Sequence, residues 1–347
     1  MELQTTNRLP RIPDIARTAG VSTATVDRVL NARGSVRPMT VERVLKAAAE
    51  LGYIADMDCH PARAGKPMQL VFLLPAGNNR FLIMLGRLIA QAHDHLTGFN
   101  VRLRVEHIKS FSPELLARRL LQVGREADGI AFFAIEHPSV REAVNGLADA
   151  GIPTVTLISD VAHAGRAAYI GLDNRSAGRT AGYLIGRFVG ERSGKVAMIA
   201  GSRSYRAHEE REMGFLHLFE QMFPSLKVIG LREGRDDEAK NYRLAKMLLA
   251  QHSDIVGIYN IGGAPEGIAR ALKEEGRDQS VVFVGHGLTA ETRALLLDGA
   301  MDAVITQNPQ ETLMACVGVF SNLRAHRPAT AGIQAVRSEI ILRDNLP

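Results

Sequence analysis

From Leu70 onward, short apolar runs alternate with stretches whose apolar residues recur every three or four positions. The runs are Leu70–Pro75, Val101–His107, Gly129–Ile135, Pro153–Ile158, Ala168–Leu172, Val196–Gly201, Lys227–Leu231, Ile255–Ile261, Val281–Gly285 and Asp302–Thr306. Each is bounded by turn residues and reads as a strand. Between them lie amphipathic helices, such as Phe81–Leu96 with Leu85, Leu88, Ile89 and Ala92 on one face. Strands of this kind alternating with helices build parallel sheets covered on both faces. Ten strands are too many for one small sheet, and no repeat of 20–50 residues is present, so the pattern predicts two similar α/β lobes.

The first fifty residues carry a different pattern. Ile15, Ala16 and Ala19 stripe one short helix, Gly20 marks a tight corner, and Val26, Val29 and Leu30 stripe a second helix. Ser22 is placed to cap that second helix. Pro13 suits the first turn of the first helix, and Asp14 sits near its positive end. Thr40 is expected to cap a third helix, striped by Val41, Val44, Leu45, Ala48 and Leu51 and ended by Gly52. Residues 1–10 read as a loose arm. The outward face of the second helix holds Thr23, Ala24, Asp27 and Arg28. A small packed helix with that face suits the major groove of DNA, about 12 Å wide.

Charge sharpens this reading. Between Arg8 and Lys46 stand eight basic residues against three acids, which accounts for the whole net charge of +5. A basic head on a neutral body is the electrostatic footprint of a DNA-binding domain.

The run Ala16, Gly20, Val21, Ser22, Thr25, Val26, Arg28, Val29, Leu30, Asn31 resembles the helix-turn-helix head of the lactose-repressor (LacI/GalR) family of bacterial transcription regulators. The body is similar to the effector-binding domain of that family. Its landmarks are Asn78-Asn79-x-Phe81, Gly-Ile-Pro at 151–153, Gly-Leu-Asp-Asn at 171–174, Arg-x-x-Gly-Phe at 211–215, Gly-His-x-Leu-Thr at 285–289 and Asp-Ala-Val-Ile-x-Gln-Asn-Pro at 302–309. The implied fold class is α/β: an N-terminal three-helix helix-turn-helix head plus a two-lobed periplasmic-binding-protein-like (type I) α/β domain. The implied division is a head over residues 1–53, a linker or hinge over 54–67, and an effector domain over 68–347. Within that domain, lobe 1 takes 68–171 and 308–332, and lobe 2 takes 172–307 and 333–347, with crossings near Leu172, Gln307 and Gly332. The family folds its linker as a hinge helix in the minor groove. Here Pro61, Ala62, Asp56 and Asp58 depart from that pattern, and Met57 is the remaining wedge.

By this resemblance the DNA-reading residues are Thr23, Ala24 and Arg28, with Arg28 facing a guanine. Ser22, Thr25, Asn31, Arg33, Arg37 and Thr40 would sit on phosphates. Asp27 either repels phosphate or accepts from a cytosine amino group. Ligands of open parallel sheets bind beyond the carboxyl ends of strands, and in two facing lobes those ends meet in one cleft. The effector candidates are therefore Asn79, Phe81, Glu136, Asp160, Arg211, Asn260, His286 and Gln307. Amides, a forked guanidinium and an aromatic face suit a polyhydroxylated ligand. Asp173 with Asn174 reads rather as a cap opening the next helix. His286 suits a ligand contact and a satisfied inner histidine equally. Gly287 stands where the family commonly carries an acid. The expectation is an acidic effector, or one held by Asp160 instead.

The remaining features set limits. Only Cys59 and Cys316 occur, far apart, which fits a reducing cytosol and no disulfide framework. No signal-peptide core and no membrane-length apolar stretch is visible, so a cytoplasmic protein is expected. No phosphate-binding loop, nucleophile elbow or metal-ligand spacing is found, so neither cofactor, metal nor catalysis is expected. The partners are operator DNA, a small sugar, polyol or sugar acid, and a second copy of the chain. The tail Arg343–Pro347 adds no heptad, which favours dimer over tetramer. The alternative is a cytosolic sugar-binding or sugar-processing protein whose helical head serves only to dimerise.

Overall fold

The computed structural model describes residues 11–30, 36–51, 53, 66–92, 96 and 100–347. The head packs α1 (Ile12–Ala19), α2 (Thr23–Leu30) and α3 (Pro38–Glu50) around Ile15, Ala16, Ala19, Val26, Val44, Ala47 and Ala48. Gly20 ends α1 in the left-handed conformation (φ 62°), and Arg43 of α3 donates from Nη2 to the Ala19 and Gly20 carbonyls that α1 leaves open. Ser22 Oγ accepts from the Thr25 amide at 3.1 Å, as a capping side chain does. Thr40 does not cap α3. That helix begins two residues earlier, with Pro38 in its first turn and the Arg37 carbonyl accepting from the amides of Thr40 and Val41. The arm, Gly52 and nearly all of the linker lie outside the described residues.

The body holds two sheets. The first has the order β2 (Val101–Lys109), β1 (Met68–Ala76), β3 (Gly129–Phe132), β4 (Thr154–Leu157), β5 (Ala168–Ile170), all parallel. Helices α4 (Arg80–Gln91), α5 (Pro113–Val123) and α6 (Pro138–Asp149) connect these strands. The second has the order β11 (Glu339–Ile341), β10 (Ala303–Thr306), β9 (Val282–His286), β8 (Ile255–Asn260), β6 (Gly194–Ala200), β7 (Leu226–Glu233). One face of it buries Ala177 and Ile185 of α7 (Asn174–Val189) and Phe215 and Phe219 of α8 (Arg206–Met222). The other buries Ala245 and Leu248 of α9 (Glu238–Gln251), Ile268 of α10 (Pro265–Glu274) and Leu295 of α11 (Ala290–Leu297). Fully buried strands such as β3 and β4 explain why these segments read as continuous apolar runs.

The chain passes from β5 of the first sheet into α7 on the second. After β10 it returns as α12 (Pro309–Arg324), whose Leu313, Cys316, Val317 and Phe320 join the first core. It then comes back as β11, antiparallel to β10. That strand was not anticipated: three residues at an edge carry no readable period. Five expected strands also end early, at Phe132, Leu157, Ile170, Ala200 and Asn260, because the chain turns there into loops. Ile158, for example, adopts φ 62°. Helix α4 ends at Gln91 rather than Leu96.

Helices α7 and α8 cross at two glycines. A Cβ on Gly178 would lie 2.0 Å from the Arg211 carbonyl oxygen, and one on Gly214 would lie 2.0 Å from the Arg175 carbonyl oxygen. Backbone cannot give way as a side-chain tip can, so these helices sit closer than any larger residue permits. Gly178→Ala is expected to lower unfolding stability by about 3 kcal/mol or more. Gly146→Ala on α6, whose Cβ would meet only Leu121 at 4.0 Å, is expected to be neutral or to stabilise by about 0.5–1 kcal/mol. Urea unfolding of the two variants beside the parent protein measures both.

Candidate functional site

Two surfaces hold the residues that the sequence singled out. On the head, Ser22, Thr23, Ala24 and Arg28 are exposed, while Val26 on the opposite side of α2 is fully buried. Thr25 and Asp27 are partly exposed, the former with its hydroxyl 2.8 Å from that of Ser22. Arg37 is exposed and Thr40 partly so, in and beside the first turn of α3. Asn31 and Arg33 lie outside the described residues. The three-helix core thus presents a polar face that begins at a helix N-terminus, where backbone N–H groups favour anions.

On the body, a cavity of about 720 Å³, its open mouth included, lies between the two sheets. Asn79, Phe81, Phe133 and Ile158 line it from the first lobe, and His208, Arg211, Asp236, Gly262, Gly263, His286 and Gly287 from the second. Gln307, at the second passage of the chain, lines it too. Of the eight residues expected here, five line the cavity: Asn79, Phe81, Arg211, His286 and Gln307.

The other three do not. Asn260 is buried behind the lining with its Nδ2 donating to the Gly263 carbonyl at 3.1 Å. Glu136 accepts from Arg141 at 2.6 Å and from the Ala162 amide at 2.8 Å. Asp160 is gripped by the fork of Arg166 and by the Thr156 hydroxyl. Both carboxylates are spent on local arginines, so Asp160 does not replace the acid absent at Gly287. Asp173 accepts from the Ser176 amide at 2.9 Å and caps α7.

Arg211 is the cavity's buried cation. Its Nε donates to Asn174 Oδ1 at 2.8 Å and its Nη1 to the Ile261 carbonyl at 2.9 Å. Asn174 Nδ2 in turn donates to the Ile158 carbonyl and lies 2.9 Å from the hydroxyl of Tyr169 in β5. Desolvation pushes the Arg211 guanidinium below its ordinary value, and no carboxylate is within bonding distance of it among the described residues. His208 is driven down to about 4, first by burial and further by Arg211, against the pull of Asp236. His286 is lowered as well, by burial and then by Arg211, and its Nε2 meets the Tyr259 hydroxyl at 2.7 Å. Both imidazoles are therefore neutral at pH 7. His286 Nδ1 and Gln307 Oε1 are buried polar atoms without a hydrogen-bond partner.

Asp236, 7% exposed, lines the cavity without being among the sequence candidates, as do His208 and Phe133. Candidates were sought past β6, β8, β9 and β10 but not past β7, where Arg235-Asp236-Asp237-Glu238 looks like a solvated charge run. The strand-end rule applied to every strand would have found it.

Several contacts join the lobes across the cleft, among them the Ser204 carbonyl accepting from the Glu136 amide at 2.8 Å and Arg235 lying over the Phe111 ring. Asn79 Nδ2 donates to Asp236 Oδ2 at 3.1 Å. Arg80 faces Glu291 at 3.2 Å and Glu266 at 3.8 Å. Tyr205, from the loop after β6, is buried in the first core, with its ring 4.7 Å from Phe133 edge-on and 5.1 Å from Phe111.

A two-lobed α/β body with a cavity between its sheets, carrying a helix-turn-helix head, is the class these observations define. The chain belongs to the periplasmic binding protein domain family, whose model matches residues 116–323, and its head matches the bacterial regulatory proteins of the lacI family over residues 11–56. The sucrose operon repressor of Escherichia coli is 33% identical over 141 residues, 39% of this chain and 41% of that protein. The transcriptional regulator CelR of Thermobifida fusca is 28% identical over 234 residues, 60% of each chain. The matched stretch thus spans under half of the sucrose repressor. A glucose-galactose binding protein of Geobacillus stearothermophilus superposes with a TM-score of 0.73 at 21% identity, over 82% of this chain and all of that one, which shows the shared fold. No helix among the described residues is long and apolar enough to cross a membrane, and none of their His, Cys, Asp and Glu side chains cluster as a metal site.

A neutral buried histidine ties stability to pH. The folded chain holds His208 at about 4 while the unfolded chain protonates it near 6.5, so its contribution is present above pH 6.5 and is lost as pH falls toward 4. The expected loss is about 2–3 kcal/mol, with the lowered His286 adding in the same direction. Urea midpoints at pH 7.5 and pH 5 are expected to differ less in His208→Gln than in the parent.

Proposed function

We propose that this protein is a DNA-binding transcription regulator of repressor type, whose operator affinity is set by a small polar ligand held between two lobes. The observation that carries this reading is the pairing, in one chain, of an open polar face on α2 with a polar cavity where two sheets meet. The working units are the head over 1–53, the linker over 54–67, and lobes of 68–171 with 308–332 and 172–307 with 333–347. Arg28 reads a guanine, Thr23 and Ala24 contact neighbouring bases, and Asp27 tunes the choice. Ser22, Thr25, Asn31, Arg33, Arg37 and Thr40 hold the backbone.

The regulator works as a cytoplasmic homodimer on a near-palindromic site whose halves lie about one helical turn apart or a multiple of it. Relatives named for sucrose, D-allose and ribose support a sugar or sugar-like effector. Asn79, Phe81, Arg211, His286 and Gln307 would contact it. A ligand shifts DNA affinity only by its difference in affinity between the two lobe arrangements, so the Asn79–Asp236 and Arg80–glutamate links are where that difference is expressed.

Selection from a random duplex pool by the full-length protein, followed by anisotropy titration, tests the head. Affinity for the selected duplex is expected to fall steeply between 50 and 200 mM salt, as several phosphate contacts require. Arg28→Ala is expected to lose about 1–3 kcal/mol of preference for the selected duplex over a scrambled one, with unchanged melting temperature. Salt-independent binding, or an unchanged preference, would remove the assignment.

A further inference from the structure

Asp236 is held in place by more structure than a surface loop needs. It and Arg235 are consecutive non-glycine residues in the left-handed region, at φ 53° and 57°. Gly201 at the end of β6 and Gly262 at the end of β8 face its carboxylate. A Cβ on either would lie 2.6 or 2.5 Å from Oδ1. Oδ1 accepts from the Gly263 amide at 2.7 Å, and Oδ2 accepts from Asn79 at 3.1 Å. An ionised carboxylate offers about four acceptor sites, so about two remain toward the cavity.

The loop after β9 cannot supply such a group. Gly287 adopts φ 79°, and a Cβ there would lie 3.1 Å from Phe81. The cavity's ionised side chains are then Arg211 and Asp236, of opposite sign, while Arg80 is opposed by Glu266 and Glu291. A neutral ligand keeps that balance. An anion would add a second negative charge beside a buried carboxylate, against the single cation Arg211.

We propose that Asp236 is the ligand-anchoring acceptor of this cleft, taking hydroxyl hydrogens of an uncharged polyhydroxylated molecule and rejecting the corresponding acid. The proposal rests on the receptor reading of the cleft and reverses the acidic effector expected from Gly287. It also assigns the lobe-to-lobe bond from Asn79 a place in the ligand's own contact set.

The test screens the full-length protein by thermal shift against the D-aldopentoses, the D-aldohexoses, their alditols and their aldonates. Isothermal titration then compares the tightest neutral compound with its aldonate. The parent protein is expected to favour the neutral compound by about tenfold or more, the scale of a hydrogen bond to a charged partner. Asp236→Asn keeps an acceptor for the Gly263 amide and tolerates the left-handed backbone. It is expected to bind the neutral compound about tenfold or more weaker and to narrow the gap to the aldonate. Arg118→Ala, exposed on α5 and outside the lining, is expected to leave both affinities unchanged. The parent's own preference needs no variant, so a variant that fails to fold leaves the test intact. An aldonate bound more tightly than its neutral parent, or an Asp236→Asn protein with parental affinity and preference, overturns the proposal while the receptor reading stands. Silence from neutral compounds and acids alike removes the receptor reading and this proposal with it.

Discussion

Burial of the Arg211 guanidinium is the constraint on which the rest of the body depends. A cation shielded from water and paired with no carboxylate persists only when its N–H groups find strong acceptors. Here they are Asn174 Oδ1 and the Ile261 carbonyl, one at the start of α7 and the other just past β8. Asn174 is fixed in turn by donating to the Tyr169 hydroxyl, whose one hydrogen is shared between the carbonyls of Ile158 and Leu172. One guanidinium therefore orders the first passage between lobes, the end of a second-lobe strand and the floor of the cleft. The glycine contact between α7 and α8 sets how deeply α8 can deliver it.

The cleft is arranged around that cation by neutralising everything near it. Burial and Arg211 itself hold two imidazoles uncharged, while Asp236 supplies the opposing charge. The glutamates around Arg80 confine its charge to the lobe contact. Inside a shielded cavity such placements weigh more than they would in water. The aromatic insertion of Tyr205 into the first core gives the lobes a second attachment away from the chain crossings. The lobe contacts and the cavity lining thus draw on overlapping residues, Asn79 and Asp236 among them.

Much of this was legible in the chain. The ten apolar runs all became strands, and the stripes at Ile15, Ala16, Ala19 and at Val26 became the head's core. The strand-end rule placed Asn79, Phe81, Arg211, His286 and Gln307 around one cavity. It failed at Glu136 and Asp160 because a carboxylate near an arginine in space is satisfied by it, and spatial nearness of Arg141 and Arg166 is not written in periodicity. It passed over Asp236 because acids in a loop look alike whether they are solvated or enclosed.

What the sequence determined by itself is local in origin. Helix period, strand runs, the corner at Gly20, the cap at Ser22 and the concentration of charge in the head follow from each residue and its near neighbours. What only the tertiary structure decided is which polar groups are left over. The edge strand β11, the start of α3 at Pro38, the pairing of Asp160 with Arg166 and the enclosure of Asp236 by glycines from two other strands all depend on contacts distant in the chain. A buried polar group is judged by the partners that folding brings to it, and those partners lie elsewhere in the sequence.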